Sequence, residues 1–355
     1  MKKIILLILS ILLLSGCTDY VEINELAIVT GILIDYKDEM YELTSQVIVV
    51  DKKSKIEVYI TKGITVDNAL LQLSEIINKK IYITHLKILV ITENVIKNKA
   101  NYMDFFLRDT KSRMNFYVYY VDDKDSVEVM NIYDDTEGSA LYLDRIMIFN
   151  KNIFSSSKEL EFINLAHDSL EYGLNIIYPV MTIKENNKKK RLYLDRFVSF
   201  NNKLEKLKLS EEDSIFYNII TNNTLRTLIS VKCDDKLFTV DAKDASTKFK
   251  WKDNTFYIDT HIVGKVDNYE CKYSLEDKKT NEILNKLFVD HLKAGVESVI
   301  NLMKENNNDF LGVGNYIYKH DKDFVKGKVW DDEIKNIKIK VSIDAAVVST
   351  GEMKK

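Results

Sequence analysis

Five histidines, three cysteines and adjacent carboxylates such as Glu211-Glu212 and Asp331-Asp332 are the residues of this 355-residue chain equipped for catalysis, metal binding or covalent modification. His85, His167, His261, His291 and His320 are far apart, and none stands in an H-E-x-x-H or C-x-x-C context. His85 and His167 read as hydrogen-bonded structural histidines. The carboxylate pairs fall in segments that read as exposed, whereas an acid/base pair needs opposed environments that separate its pKa values. No G-x-x-x-x-G-K, G-x-G-x-x-G or G-x-S-x-G run occurs, and Gly312-Val313-Gly314 is a lone G-x-G. No catalytic residue, cofactor ligand or metal ligand is therefore assigned, and the chain is expected not to be an enzyme. The basic run Lys188 to Arg191 has the charge to meet anionic headgroups, but it sits between two strands and reads as a solvated hairpin tip. Phe116, Tyr117, Tyr119 and Tyr120 suit a sheet before they suit a stacking platform.

Cys17 is the exception. Lys2 and Lys3 form a basic n-region, Ile4 to Leu14 an apolar run, and Ser15-Gly16 a small pair before the cysteine. That order is a signal peptide. The run is shorter than the about 20 residues a bilayer span needs. Leu14-Ser15-Gly16-Cys17 resembles the lipobox of bacterial lipoproteins, which implies acylation of the Cys17 thiol and cleavage just before it. One acyl chain binds a membrane marginally, and two or more anchor stably. Cleavage takes Lys2 and Lys3 with it and leaves the formal net charge two units below the −3 of the whole chain. An acidic body has no bulk attraction to nucleic acid or anionic lipid, so the membrane contact is assigned to the lipid. Cys233 and Cys271 remain. An exported pair could form a disulfide, but with no known distance between them the default is two separate, partly buried thiols.

Apolar and charged fractions of 46% and 30% are those of a globular protein. Leu26 to Asp35 and Tyr41 to Val50 read as strands joined by an Asp38-Glu39 turn. Thr65 or Asp67 caps a helix through Ile77. Leu86–Ile91 and Asn115–Val121 read as strands, with a short helix over Ala100–Leu107 between them and another beginning at Ser126. Glu159–Leu170 reads as a helix. Ile176–Ile183 and Arg191–Phe200 form a hairpin whose Pro179 marks an edge or a strand start. After a turn at Asn201-Asn202 come a helix capped by Ser210, four β runs over Ile229–Cys233, Leu237–Ala242, Ser246–Trp251 and Thr255–Val266, a long helix over Leu275–Asn306 and a last strand over Ile337–Val348. Strands and helices are mixed rather than strictly alternating, so the expected fold is α+β, with mixed, mostly antiparallel sheets flanked by helices in two to three domains.

Several spans together resemble one family. "NELAIVTGILID" soon after a lipobox is similar to the start of the C-subunit lipoproteins of spore germinant receptors, the Ger(x)C family. Asp19 and Glu22 fit its opening, and Thr18 and Val21 stand where it carries Trp and Arg. "YITHLKILVITENV" and "DFFLRDTKSRMNFYVYYV" are similar to its central segments. Asp309, Gly312, Gly314, Trp330 and Gly351 fall where its C-terminal pattern has them. The resemblance implies a three-domain α/β fold without catalytic residues, assembling with two integral-membrane receptor subunits on the outer face of the spore inner membrane. It divides the chain into a signal peptide (1–16), an N-terminal germination-receptor domain (17–200, or two lobes with the second from about 135) and a C-terminal one (201–355). The competing reading is a surface lipoprotein that binds a solute or cell-wall fragment in a pocket lined by aromatics.

Overall fold

The computed structural model describes residues 22–50, 54–98, 101–109, 112–122, 125–132, 138, 140–145, 157–224, 226–275 and 277–348. Cys17 and the signal peptide lie outside the described residues. The first sheet begins as an antiparallel meander of β1 (Leu26–Lys37), β2 (Met40–Val50) and β3 (Ser54–Gly63). Asp38 and Glu39 both adopt positive φ, the backbone of a tight two-residue hairpin turn. On its other side β1 pairs in parallel with β4 (Lys80–Tyr82) and β5 (Ile88–Ile91). Beyond β5, β6 (Tyr117–Tyr120) and β7 (Ile177–Asn186) continue the parallel run, and β8 (Lys189–Phe200) and β9 (Lys206–Lys208) close the sheet antiparallel. The sheet is thus antiparallel at both ends and parallel in the middle, where strand–helix–strand crossovers force that direction.

The crossovers explain why the strands are apolar on both faces. Helix α1 (Val66–Ile77) is capped by Thr65, whose hydroxyl accepts from the Asn68 N–H. Its Val66, Ala69, Leu70 and Leu73 pack on one face of the sheet with Phe106 of α2 (Tyr102–Arg108) and Leu165 of α3 (Phe162–Asp168). On the opposite face Leu33, Val90, Tyr119 and Val121 meet Val129, Met130, Ala140 and Leu143. β7 is an internal strand, and Pro179 sits near its start, just before the Val180 pairing to β6. That position leaves the missing N–H without consequence for the parallel ladder.

The second sheet has the order β10 (Arg226–Cys233), β11 (Lys236–Lys252), β12 (Thr255–Tyr269), β13 (Lys338–Val348). The two β runs expected at Leu237–Ala242 and Ser246–Trp251 are one strand, β11, with a register shift between Lys243 and Ser246. β13 returns parallel to β12, after the long helix α5 (Lys278–Glu305) has crossed between them. Leu284, Phe288, Leu292, Val296, Val299 and Ile300 of α5 are buried, as their helical spacing predicts. Cys233 and Cys271 are joined as a disulfide with Cα atoms 5.9 Å apart, which corrects the expectation of separate thiols. The core of this half also takes in Ile177, Phe197, Leu207 and Leu209 from the other side of residue 210.

Helix α4 (Glu211–Ile220), capped by Ser210 on the Asp213 N–H, crosses α5 at Gly295. A β-carbon there would lie 2.2 Å from the Phe216 ring. Gly295→Ala gains helix propensity of about 1 kcal/mol but overpacks the crossing by about 1–3 kcal/mol. Net loss of stability is expected, and a urea midpoint at or above that of the parent would contradict this packing.

Candidate functional site

The histidines stay dispersed. His85 is exposed and meets the Tyr82 ring edge-on, so the expectation of a hydrogen-bonded structural role is replaced by an aromatic contact. His167 is exposed between Asp168 and Glu171. His261 faces Asp344 across the β12–β13 pair at 2.9 Å, and His320 stacks on Tyr316. His291 is half-buried against Phe216, and burial lowers its pKa. Among the described residues, no three His, Cys, Asp or Glu side chains are grouped to hold a metal ion. Tyr119 and Tyr120 are fully buried residues of β6, and Phe116 is buried just before that strand. Lys188 to Arg191 form an exposed hairpin tip with Lys190 paired to Glu128. Asp331, expected to be exposed, is buried and accepts from the Asn202 side-chain amide at 2.7 Å.

The densest polar site is built around Asp309, which is 1% exposed. Its Oδ1 accepts from the Val313 N–H at 3.0 Å. Its Oδ2 accepts from the Gly314 N–H and from the Trp330 indole N–H, both at 2.7 Å. The backbone of Asp309 is also held at both ends. Its N–H donates to Asn175 Oδ1 at 2.6 Å, and its carbonyl accepts from the Asn175 N–H at 2.9 Å. Gly314 opens helix α6 (Val313–His320) directly under the indole, where a β-carbon would lie 2.3 Å from the ring. Around this hub Ser199 donates to Asn308 Oδ1 at 2.8 Å, Asn201 to the Asn306 carbonyl at 3.1 Å, and Tyr172 to the Lys328 carbonyl at 3.3 Å. The segment after α3 and the end of β8 are thereby strapped to residues 306–331. Burial pushes Asp309 up to about 6, against the N–H donors that each pull it down. Every group aimed at the carboxylate is a donor, and these donors occupy its acceptor positions, so the site braces the fold.

A second cluster occupies the carboxyl ends of β1, β5 and β6, where open α/β sheets commonly hold ligands. Here the chain's own charges fill the place. Asp35 accepts from Thr92 Oγ1 at 2.6 Å and Asn94 Nδ2 at 3.1 Å. Tyr120 donates to Glu93 and Asp122, and Lys206 and Lys208 of β9 pair with the same two carboxylates. These cations hold Glu93 and Asp122 below the usual carboxylate range despite burial. The cluster ties β9 to the parallel strands. An open groove of about 940 Å³ between α1 and α2 is lined by Tyr41, Ile64, Leu71 and Phe105 and carries the Asp104–Arg108 ion pair.

No helix of the described residues is long and apolar enough to cross a membrane. Residues 19–183 match the family described as "Spore germination protein N-terminal domain", and residues 197–351 match "Spore germination B3/GerAC like, C-terminal". Residues 1–18 match the prokaryotic membrane lipoprotein lipid attachment site. Spore germination protein KC of Bacillus subtilis is 24% identical over 98% of this chain and 95% of its own length. Spore germination protein A3 of the same organism is 25% identical over 72% of this chain and 70% of its own. The solved structure described as "Crystal Structure of the GerBC protein" shares the fold with a TM-score of 0.55, at 16% identity over 90% of this chain and 97% of that one.

Asp309→Asn turns an amide NH₂ toward N–H donors and is expected to cost about 1–3 kcal/mol of stability. The native carboxyl, at about 6, lies above its ordinary 3.8, so the folded state holds the proton more tightly than the unfolded one. The stability this contributes is full below about pH 4 and is lost as pH rises through about 6. Denaturation curves from pH 4 to 7 should show that downward slope in the parent and a flatter one in Asp309→Asn. Equal slopes would contradict the assignment.

Proposed function

The chain belongs to the GerAC-like family of spore germination proteins, and from that premise we propose that it is a lipid-anchored, non-enzymatic subunit of a nutrient germinant receptor. The observation that carries this reading is the ordered match of both family segments along the chain behind a lipid attachment site. On this reading Cys17 is the acylated residue and the first residue of the mature protein. The body sits on the outer face of the spore inner membrane and docks on two integral-membrane subunits, stabilising their signalling state. Confinement to the surface raises its effective concentration for them. The proposed division is a signal peptide over 1–16 and two germination-receptor domains over 17–200 and 201–355. The braced Asp309 and the self-paired charges at the strand ends support a scaffold role, since both place their polar groups in service of the fold.

The alternative, a surface lipoprotein that holds a solute or wall fragment, has the groove between α1 and α2 in its favour. That groove is open, with Tyr41, Tyr82 and Phe105 as its aromatic walls, whereas small-molecule sites enclose most of their ligand. It stands second.

Cys17→Ala tests the anchor. The variant is expected to leave the membrane fraction of spores, to lower receptor level and to slow the nutrient response. Unchanged receptor level and unchanged response would rule out the anchored mechanism.

A further inference from the structure

The first sheet carries an apolar row that joins no hydrophobic core among the described residues. Tyr82 of β4, Ile28 of β1, Ile48 of β2 and Ile56 of β3 stand opposite one another in register across four strands. Strand alternation places them on the face away from α1, because Ala27, Val29, Val47 and Val49 fill the α1 side. Each of the four is half-exposed. None of them enters a hydrophobic cluster of the described residues. On the same face the neighbouring rows add Leu26 and Val50 toward the start of β1.

The place of this row in the chain says what it meets. The stretch from Cys17 to Glu22 spans at most about 18 Å when fully extended. Glu22 leads through a 3-10 turn over Ile23–Glu25 into Leu26, which opens β1, and Ile28 follows on the same face. An acyl group on Cys17 therefore keeps this end of the sheet within reach of the headgroups. Lys80, exposed and two residues before Tyr82 on the same face, brings an ammonium to the anionic layer. Tyr82 brings an amphipathic ring of the kind that settles at the interface. The body is net acidic, so bulk charge does not draw it down, and the contact is apolar.

We propose that the Tyr82–Ile28–Ile48–Ile56 row is a membrane-facing surface that rests on the headgroup–acyl boundary and sets the tilt of the anchored body. The acyl chains supply affinity, and the row supplies orientation. The β1–β2 hairpin, with Met40 at its turn and paired to Lys37, then points away from the bilayer. This inference rests on the lipid-anchor reading and adds to it a direction.

The test uses the full lipidated protein, reconstituted in vesicles of mixed phosphatidylcholine and phosphatidylglycerol with or without brominated acyl chains. Ile48→Trp and Ile56→Trp place a fluorophore in the row, and Met40→Trp, at a position 36% exposed, places one at the far turn. Intact mass first confirms acylation of Cys17. A chain that carries no acyl group would defeat the anchor reading itself, and with it the orientation. In an acylated, vesicle-bound protein, brominated lipid should reduce the emission added by Ile48→Trp and Ile56→Trp and leave that of Met40→Trp unchanged. Equal quenching of all three, or of none, would overturn the proposed orientation while leaving the anchor intact. Emission that responds only after the integral-membrane subunits are added would assign the row to protein instead of lipid and also overturn the proposal. Because all three positions are at least partly exposed, loss of folding is checked independently by the near-ultraviolet circular dichroism of each variant.

Discussion

A carboxylate taken out of water has to be surrounded by donors, and Asp309 meets that constraint when its own turn and the Trp330 segment close on it while Asn175 grips its backbone. Asn175 comes from the segment after α3, Gly314 from the start of α6, and Trp330 from the approach to β13. Removing the indole strands a buried charge, and a side chain at position 314 evicts the indole. Breaking one partner of a buried charge typically costs several kcal/mol, so the hub makes the two halves of the protein one structural problem. The continuous core through Ile177, Phe197 and Leu207 adds apolar area to the same seam.

The other polar features follow the same logic of internal compensation. At the carboxyl ends of β1, β5 and β6 the chain supplies its own cations and hydroxyls to its own carboxylates. Among the described residues a few buried polar atoms, such as Tyr119 OH and Asn308 Nδ2, lack a hydrogen-bond partner, and apolar surface stays open at the groove beside α1 and at the sheet row near the start of β1. Charged sites that pair internally and apolar surfaces left open suit contact more than chemistry. On the proposed reading, the anchor at Cys17 decides which of those surfaces meets the membrane.

Much of this was legible in the sequence where the signal is contiguous. The lipobox around Cys17 is a local chemical pattern, and it agrees with the matched attachment site. The apolar face of α5 and the Ser210 cap depend on spacing within one helix, and both are present. β3 went unread because it is an edge strand with half-exposed residues on both faces and little alternation. β11 was split in two because Lys243 to Ser246 carries a register shift that looks like a turn. Asn175, Ser199 and Asn308 gave no signal, since their partners lie more than a hundred residues away in sequence. Asp309, Gly314 and Trp330 stood out only by family resemblance, and the reason for their pattern, a donor cage under an indole, is a property of the folded chain. The disulfide needed a distance, and the sheet row needed a register.

The account stands or falls on whether the protein serves nutrient sensing in spores. The most direct measurement is a clean deletion, with dipicolinic acid release followed in purified spores after nutrient and, separately, after a trigger that bypasses receptors. Failure with nutrient alongside normal release after the bypass is the predicted result. Normal release after both triggers, in a strain lacking other copies of the family, would contradict it.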